Sequence, residues 1–434
     1  MSAVTNRLSG EAVVGQTVSK RLDIQGLRAL AVLVVVLNHL HVPGFLAGYV
    51  GVDVFFVISG YVITHMLLRD GARRGGTIGF LNFYAKRARR IVPSATLIIV
   101  VTIIAIFELT SFLRGARLLP DATASSLFLA NTHFIATGTE YADAGSGPSP
   151  LQHYWSLAIE EQFYLAWPLV MALTMLVVAK GAGFAKSERF AGAGGLTKLG
   201  RFTNGAGFTL RPTLLAVLVT VAAASYIHSI VLTSSNLTAA YYSPLTRFWE
   251  LMLGCILAVA EPYIARRLSP TVATIVGWAG FVAVAASVAK MPYDMFPGWI
   301  AAVPALGAAA IIVAGLAPSK ASPSFILSMR LPRYVGDISY SLYLVHWPIM
   351  AVVAARYGHD FSVLTKIVLF LGSFLGAMVL YHAFEDPIRR SRFLETRPWA
   401  GLAIIPACIA IVFAVAAFER HRWAIDVPLV QNLF

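Results

Sequence analysis

Hydrophobic residues along this chain come in blocks rather than at a strand or amphipathic-helix period. Long runs with few charges alternate with short segments that hold most of the lysines, arginines, prolines and glycines. A hydrocarbon core of about 30 Å takes roughly 20 helical residues, so such blocks predict membrane-spanning helices. Eleven are read, at 27–43, 46–68, 91–108, 154–179, 212–232, 247–260, 270–289, 299–317, 334–354, 366–385 and 399–418. The stretch 118–137, LLPDATASSLFLANTHFIAT, is the doubtful case, because counting it as a crossing would put 180–211 on the opposite side.

The distribution of positive charge decides between these layouts. With the N-terminus inside and 118–137 not crossing, most of the lysines and arginines fall in 1–28, 69–90, 180–211, 266–267, 318–333 and 386–397, all on one side. Cytoplasmic loops carry such an excess. The expectation is therefore an all-α, polytopic integral-membrane helix bundle of the cytoplasmic (inner) membrane with about eleven spans, N-terminus inside and C-terminus outside. Residues 1–22 read as a cytoplasmic tail, 23–390 as a ten-span membrane domain, and 391–434 as an eleventh span with a short outer tail. The Gly/Ala-rich, basic 180–211 stretch reads as a flexible cytoplasmic linker, and 118–137 as an outer-face or re-entrant element.

Composition agrees. Of 434 residues, 58% are hydrophobic and only 13% charged, against about 25% charged in soluble domains; mean hydropathy is +0.72. The net charge of +13 could suggest nucleic acid, but its confinement to short inter-helix segments points to membrane lipids as partners instead. Two cysteines, Cys255 and Cys408, lie inside apolar runs, which implies neither a disulfide framework nor a thiolate metal site. No small-residue cleavage site follows the first run, so that run reads as a retained helix. No fixed-period repeat and no pair of matching broken helices is visible.

Ionisable residues inside these runs are the candidate chemistry. Residues 28–39, RALAVLVVVLNH, put Arg28 and His39 eleven positions apart, about three turns and ~16 Å along one helix face. Arg28 could be a snorkelling anchor and His39 an interfacial histidine, but intramembrane ionisable groups are expensive and point to function by default. The next run, GYVGVDVFFVISGYVIT, follows after a short turn and carries Asp53 at a comparable depth. A carboxylate against an imidazole fixes its tautomer and raises its basicity; otherwise Asp53 caps its helix. Gly51 and Gly60 permit close helix approach.

Arg28, His39 and GVDVFFVISGYVIT resemble the acyltransferase-3 family of integral-membrane O-acyltransferases. YAKRARRIVP (84–93), HYWSLAIEEQFYLAWPL (153–169), RFWELMLGCILA (247–258), GDISYSLYLVHWPI (336–349) and EDPIRR (385–390) extend the resemblance, in order, over about residues 20–418. It implies transfer of an acyl group from acyl-CoA, with acetyl-CoA the usual donor, to a cell-surface or lipid-linked glycan, no metal, and essential roles for Arg28 and His39. Many relatives continue from an eleventh helix into an extracytoplasmic SGNH-type domain. Here the sequence stops soon after 418, which implies a separate SGNH-type partner, a reaction without one, or a sequence that ends early.

Further candidates follow from local pattern. Lys86, Arg87, Arg89 and Arg90 could bind the phosphates of coenzyme A, or anionic lipid headgroups. Glu160 and Glu161 diverge by about 100° on a helix, so one is expected to face a catalytic cavity and the other a neighbouring span or its arginine. Arg247 and Glu250 can pair along one face, as a structural salt bridge or as a holder of substrate at the outer face. Tyr343 and His346 share a stripe with Tyr340 that could bind sugar or pantetheine, or line a helix interface. His39 would act as base on an acceptor hydroxyl or carry the acyl group briefly, oriented by Asp53 or by one of the glutamates. A proton-coupled transporter or flippase, with the same residues as a proton relay, is the competing expectation; only an acyltransferase must liberate CoA thiol.

Overall fold

A computed structural model describes residues 21–74, 77–139, 148–187, 202–358 and 360–426. Eighteen α-helices follow one another: α1 (Leu22–His39), α2 (Gly51–Arg73), α3 (Phe80–Leu109), α4 (Phe112–Ser126), α5 (Ala130–Ala136), α6 (Tyr154–Ser187), α7 (Phe202–Ser235), α8 (Leu237–Tyr242) and α9 (Pro244–Ala265). Then come α10 (Pro270–Lys290), α11 (Ala302–Ala314), α12 (Pro323–Leu327), α13 (Arg330–Asp337), α14 (Ser339–Tyr357), α15 (Val363–Val379), α16 (Asp386–Arg389), α17 (Arg392–Thr396) and α18 (Pro398–Asp426). A π-helical turn, Leu380–Glu385, joins α15 to α16.

Local sequence sets several starts. Ser243–Pro244 and Ser269–Pro270 place a capping hydroxyl before a proline that needs no N–H partner. Ser243 accepts the Leu245 amide at 3.2 Å and Ser269 that of Val272 at 3.3 Å. Apolar residues then carry each helix outward. Leu173 and Val177 on α6, Ile227 and Val231 on α7, and Leu371 and Leu375 on α15 are all about 60% exposed. A water-soluble surface does not carry such bands; a lipid-facing one does, and the chain is a multi-pass membrane bundle.

Among the described residues, nine helices are long and apolar enough to cross a membrane, and the pair α13–α14, bent by 64°, makes a tenth. The run at 299–317 contracts to α11, 13 residues long. At 1.5 Å per residue that is about 20 Å, short of a bilayer core, and α11 packs against α2, α9 and α10 inside the bundle. The doubtful 118–137 stretch forms α4 and α5, helices of 15 and 7 residues, too short to cross. Helix α6 enters the 180–211 stretch as far as Ser187 and α7 resumes at Phe202, so part of that linker is helical. Residues 1–20, 188–201 and 427–434, which include the expected cytoplasmic and outer tails, lie outside the described residues.

Helix α2 is the core of the bundle. A Cβ built on Gly60 would stand 1.8 Å from the Leu251 carbonyl oxygen, and one on Gly254 would stand 2.0 Å from that of Val57. Only hydrogens at both positions let α2 and α9 lie backbone to backbone. Gly51 gives α2 its approach to α1, where Ala31 O would be 2.4 Å from a Cβ. Gly60 therefore serves α9, whereas Gly51 serves α1.

Candidate active site

Helices α1, α2, α3, α6 and α14 enclose a cavity of about 100 Å³. Arg28 enters from α1, Ser59 from α2, Arg87 and Arg90 from α3, Glu160 and Tyr164 from α6, and Ser339 and Tyr343 from α14. The Arg28 guanidinium donates to Ser339 Oγ from Nε at 3.2 Å and from Nη2 at 2.9 Å. Glu160 accepts from Ser59 at 2.7 Å and from the Tyr164 hydroxyl at 3.4 Å. Across the cavity, Arg87 stacks on Tyr164 with its Cζ 3.7 Å from the ring centroid. Arg28, Arg87 and Arg90 line the cavity with one carboxylate, Glu160, so guanidinium charge is in excess on its wall.

Helical spacing sorts the basic cluster. Arg87 and Arg90, three apart, share the face that lines the cavity. Lys86 is exposed and Arg89 buried, and neither lines it. The adjacent glutamates part in the same way: Glu160 lines the cavity, whereas Glu161 stands 4.0 Å from Arg87.

His39 lies farther along α1, beyond the cavity, against α14. Its Nδ1 is 3.0 Å from His346 Nε2, and His346 Nδ1 is 3.0 Å from the Leu342 carbonyl oxygen. A carbonyl can only accept, so His346 Nδ1 carries the proton and its Nε2 the lone pair. His39 must then donate from Nδ1, which leaves its own lone pair on Nε2. This tautomer is the one a base needs at that nitrogen. The rings are nearly parallel, and Trp347 packs on His39 with centroids 4.4 Å apart. Tyr343 stands between cavity and histidines: its ring centroid is 5.6 Å from that of His346, and its hydroxyl bonds Ser156 at 2.6 Å and donates to His153 O at 2.9 Å.

Asp53 is not the partner of His39. It is held by Arg247 at 3.1 Å, and Arg247 also binds Glu250 at 2.8 Å, with all three side chains fully buried. Phe296, Trp155, Tyr241 and Phe56 surround the guanidinium at 4.9 to 5.9 Å, within cation–π range. None of these three ionisable residues lines the cavity. The physical reason is helix phase: Asp53 is six residues from Ser59, so it points toward α9, where Arg247 supplies the counter-charge that a buried carboxylate demands. Arg247 and Glu250 are thus enclosed rather than presented to a substrate.

Sequence reasoning did not single out Ser59, Tyr164, Ser339 or Trp347. All four lie inside motifs quoted above, but a serine or an aromatic residue in an apolar run carries no signal until a neighbouring helix brings it a partner. Among the described residues no cluster of three or more metal-ligating side chains occurs.

The family model described as Acyltransferase domain matches residues 21–382. The chain belongs to the acyltransferase-3 family. It is 32% identical over 385 residues to the peptidoglycan O-acetyltransferase OatA of Listeria monocytogenes, which covers 86% of this chain and 56% of that protein. It is 30% identical over 384 residues to the putative peptidoglycan O-acetyltransferase YrhL of Bacillus subtilis, covering 85% of this chain and 55% of the relative. Identity to the O-acetyltransferase OatA of Staphylococcus aureus is 30% over 381 residues, covering 85% and 57%. The chain therefore spans a little over half the length of these curated relatives. No solved structure matches.

Proposed function

We propose that this acyltransferase-family protein is a membrane O-acetyltransferase that moves acetyl from acetyl-CoA to a hydroxyl of a cell-surface glycan of the peptidoglycan type. The relatives' names support the acetyl group and the acceptor class. The observation that carries the chemistry is the chain from Leu342 O through His346 to His39, which leaves the His39 lone pair on Nε2. With the N-terminus cytoplasmic, Arg87 and Arg90 lie toward the side where acetyl-CoA is made. They are suited to its phosphates, because guanidinium pairs bidentately with phosphate. A cavity of about 100 Å³ suits the acetyl-thioester end and not the nucleotide, which would extend outward past the two arginines.

In this reading the acceptor hydroxyl gives its proton to His39 Nε2 as its oxygen attacks the thioester carbonyl. The C–S bond breaks, the thiolate takes the proton from the imidazolium, and free CoA thiol leaves with the O-acetyl ester formed. His346 holds the imidazole in its tautomer throughout, and Arg28, braced by Ser339 about three turns away from His39, holds the donor within the cavity. Tyr343 has to swing aside for the thioester to reach His39. A separate SGNH-type partner could receive the acetyl group before the glycan does; the donor half-reaction is the same. The test is labelled acetyl-CoA given to membranes that hold the wild type, His39→Ala or Arg28→Ala. Wild type should release thiol and label glycan while the variants, present at equal level, do neither. Wild type that consumes no acetyl-CoA would overturn the proposal and favour transport.

A further inference from the structure

The motif at 153–169 supplies Ser156 and Glu160 to the cavity, but its first residue has no part in the chemistry described so far. His153, in the turn that leads into α6, is 2% exposed. Among the described residues neither of its ring nitrogens makes a hydrogen bond, and the Leu344 backbone beside the ring lies outside hydrogen-bond geometry. A buried polar group left without a partner lowers stability, so such a group in a folded protein calls for a reason.

The neighbours of the ring place it at the reaction. Its centroid is 5.9 Å from that of His346, the partner of His39, and 5.5 Å from that of Tyr343. Tyr343 is the side chain that moves when the thioester reaches His39, and its hydroxyl leaves with it. The space it vacates therefore borders His153.

The other side-chain donors around that space are committed. His39 Nδ1–H is given to His346, and His346 Nδ1–H to the Leu342 carbonyl. The Trp347 indole N–H donates to Ser149 O at 2.8 Å. Ser156 Oγ is engaged by the Tyr343 hydroxyl at 2.6 Å and by the His153 carbonyl oxygen at 3.3 Å. Attack on a thioester puts negative charge on its carbonyl oxygen, which needs a donor already in place. Arg28 is about three helical turns from His39, too far along α1 to serve.

We propose that His153 is a further catalytic residue, whose ring N–H meets the thioester carbonyl oxygen during transfer; this rests on the acetyl-transfer reading above. The acceptor oxygen bonds to the carbonyl carbon and its proton passes to His39 Nε2. The C=O π pair moves onto the oxygen beside His153 and returns as the C–S bond breaks. His153 keeps its proton throughout, as a neutral imidazole that polarises a carbonyl does. A donor already satisfied by the protein would gain less in the transition state, which is why this one is left unpaired.

The test uses the purified full chain, with single-turnover thiol release, acetyl-CoA affinity and unfolding midpoint measured on the same samples. His153→Leu should release thiol about 10² to 10³ times more slowly, bind acetyl-CoA as wild type does and unfold no lower than wild type. His153→Asn or His153→Gln, each with an amide N–H near one ring nitrogen, should restore part of the rate. Infrared spectra of acetyl-CoA labelled at the carbonyl carbon give a signature separate from rate. On His39→Asn, which turns the donor over slowly, the C=O stretch should lie lower than on His39→Asn/His153→Leu. Wild-type thiol release by His153→Leu, or equal stretches in the two samples, would overturn the assignment and leave His39 as the base. A midpoint lowered equally in all three His153 variants, with no rate restored by either amide, would make His153 a packing residue and overturn it too. Wild type that neither binds nor consumes acetyl-CoA would overturn the transfer reading itself, and this proposal with it.

Discussion

Replacing Arg247 by methionine removes the only positive charge in a cluster that has two carboxyl groups and no exposure. Arg247, Asp53 and Glu250 are each 0% exposed, and the two contacts are 3.1 and 2.8 Å. Taking one partner from a buried ion pair costs about 3–5 kcal/mol, because the remaining charge cannot recover its hydration. The four aromatic rings around the guanidinium raise the cost further, since they seal off water and lose a cation–π partner. Against a total stability of about 5–15 kcal/mol for ordinary domains, Arg247→Met should abolish accumulation or lower the unfolding midpoint sharply in detergent. The apolar triple variant Arg247→Met/Asp53→Leu/Glu250→Met should recover most of that loss, because replacing a whole buried ion cluster by hydrophobic residues of similar volume is often close to neutral. Both variants should be compared by thermal unfolding of purified protein and by acetyl-CoA affinity. A triple variant as unstable as the single one would refute the charge argument and leave shape alone as the cause. A stable Arg247→Met that has lost only acceptor affinity would return Arg247 to a substrate-binding role.

Three further perturbations probe the packing and the cavity. Gly60→Val should cost at least ~1–3 kcal/mol, the usual penalty of overpacking, because its Cβ meets the Leu251 carbonyl oxygen at 1.8 Å; a midpoint equal to wild type would contradict the close α2–α9 contact. Arg90→Ala should raise KM for acetyl-CoA about 10-fold or more, the loss of a charge-assisted hydrogen bond of ~1.5–3 kcal/mol, whereas Lys86→Ala should leave KM within about 2-fold, as exposed substitutions within ±0.5 kcal/mol do. Equal effects at the two positions would contradict the sorting of the cluster by helix phase. His346→Ala should lower kcat by about 10²-fold or more, within the range of general-base contributions, with KM for acetyl-CoA unchanged; His346→Gln, which keeps an acceptor for His39 Nδ1–H, should restore part of it.

Much of the bundle was legible because the bilayer imposes a simple rule on composition. Apolar runs located the helices. The exceptions have physical causes. Residues 299–317 are apolar enough to span but form only α11, a 13-residue helix that packs on α2, α9 and α10 with Val303 and Leu306 left exposed. The basic cluster of 84–93, read at the entry to the third span, is continuous with that span as the first part of α3. At the site, Arg28, His39, Arg87, Arg90 and Glu160 stood out because charge in an apolar run is costly, and the structure brings four of these five to one cavity. What could not be read was pairing across helices. Asp53 and His39 lie at similar depths, yet depth fixes only one coordinate, and helix phase sends Asp53 to Arg247. His346 was noticed as a member of an aromatic stripe; its partnership with His39 depends on how α14 is rotated against α1, which no spacing within either helix encodes.

The most direct measurement is a single turnover of labelled acetyl-CoA by purified protein, wild type against His39→Asn, with acetyl-CoA affinity measured on the same samples. If His39 is the base, the variant should bind acetyl-CoA as wild type does and release thiol about 10² to 10⁴ times more slowly. Thiol release by His39→Asn at the wild-type rate, with affinity unchanged, would contradict the assignment of the chemistry to this histidine.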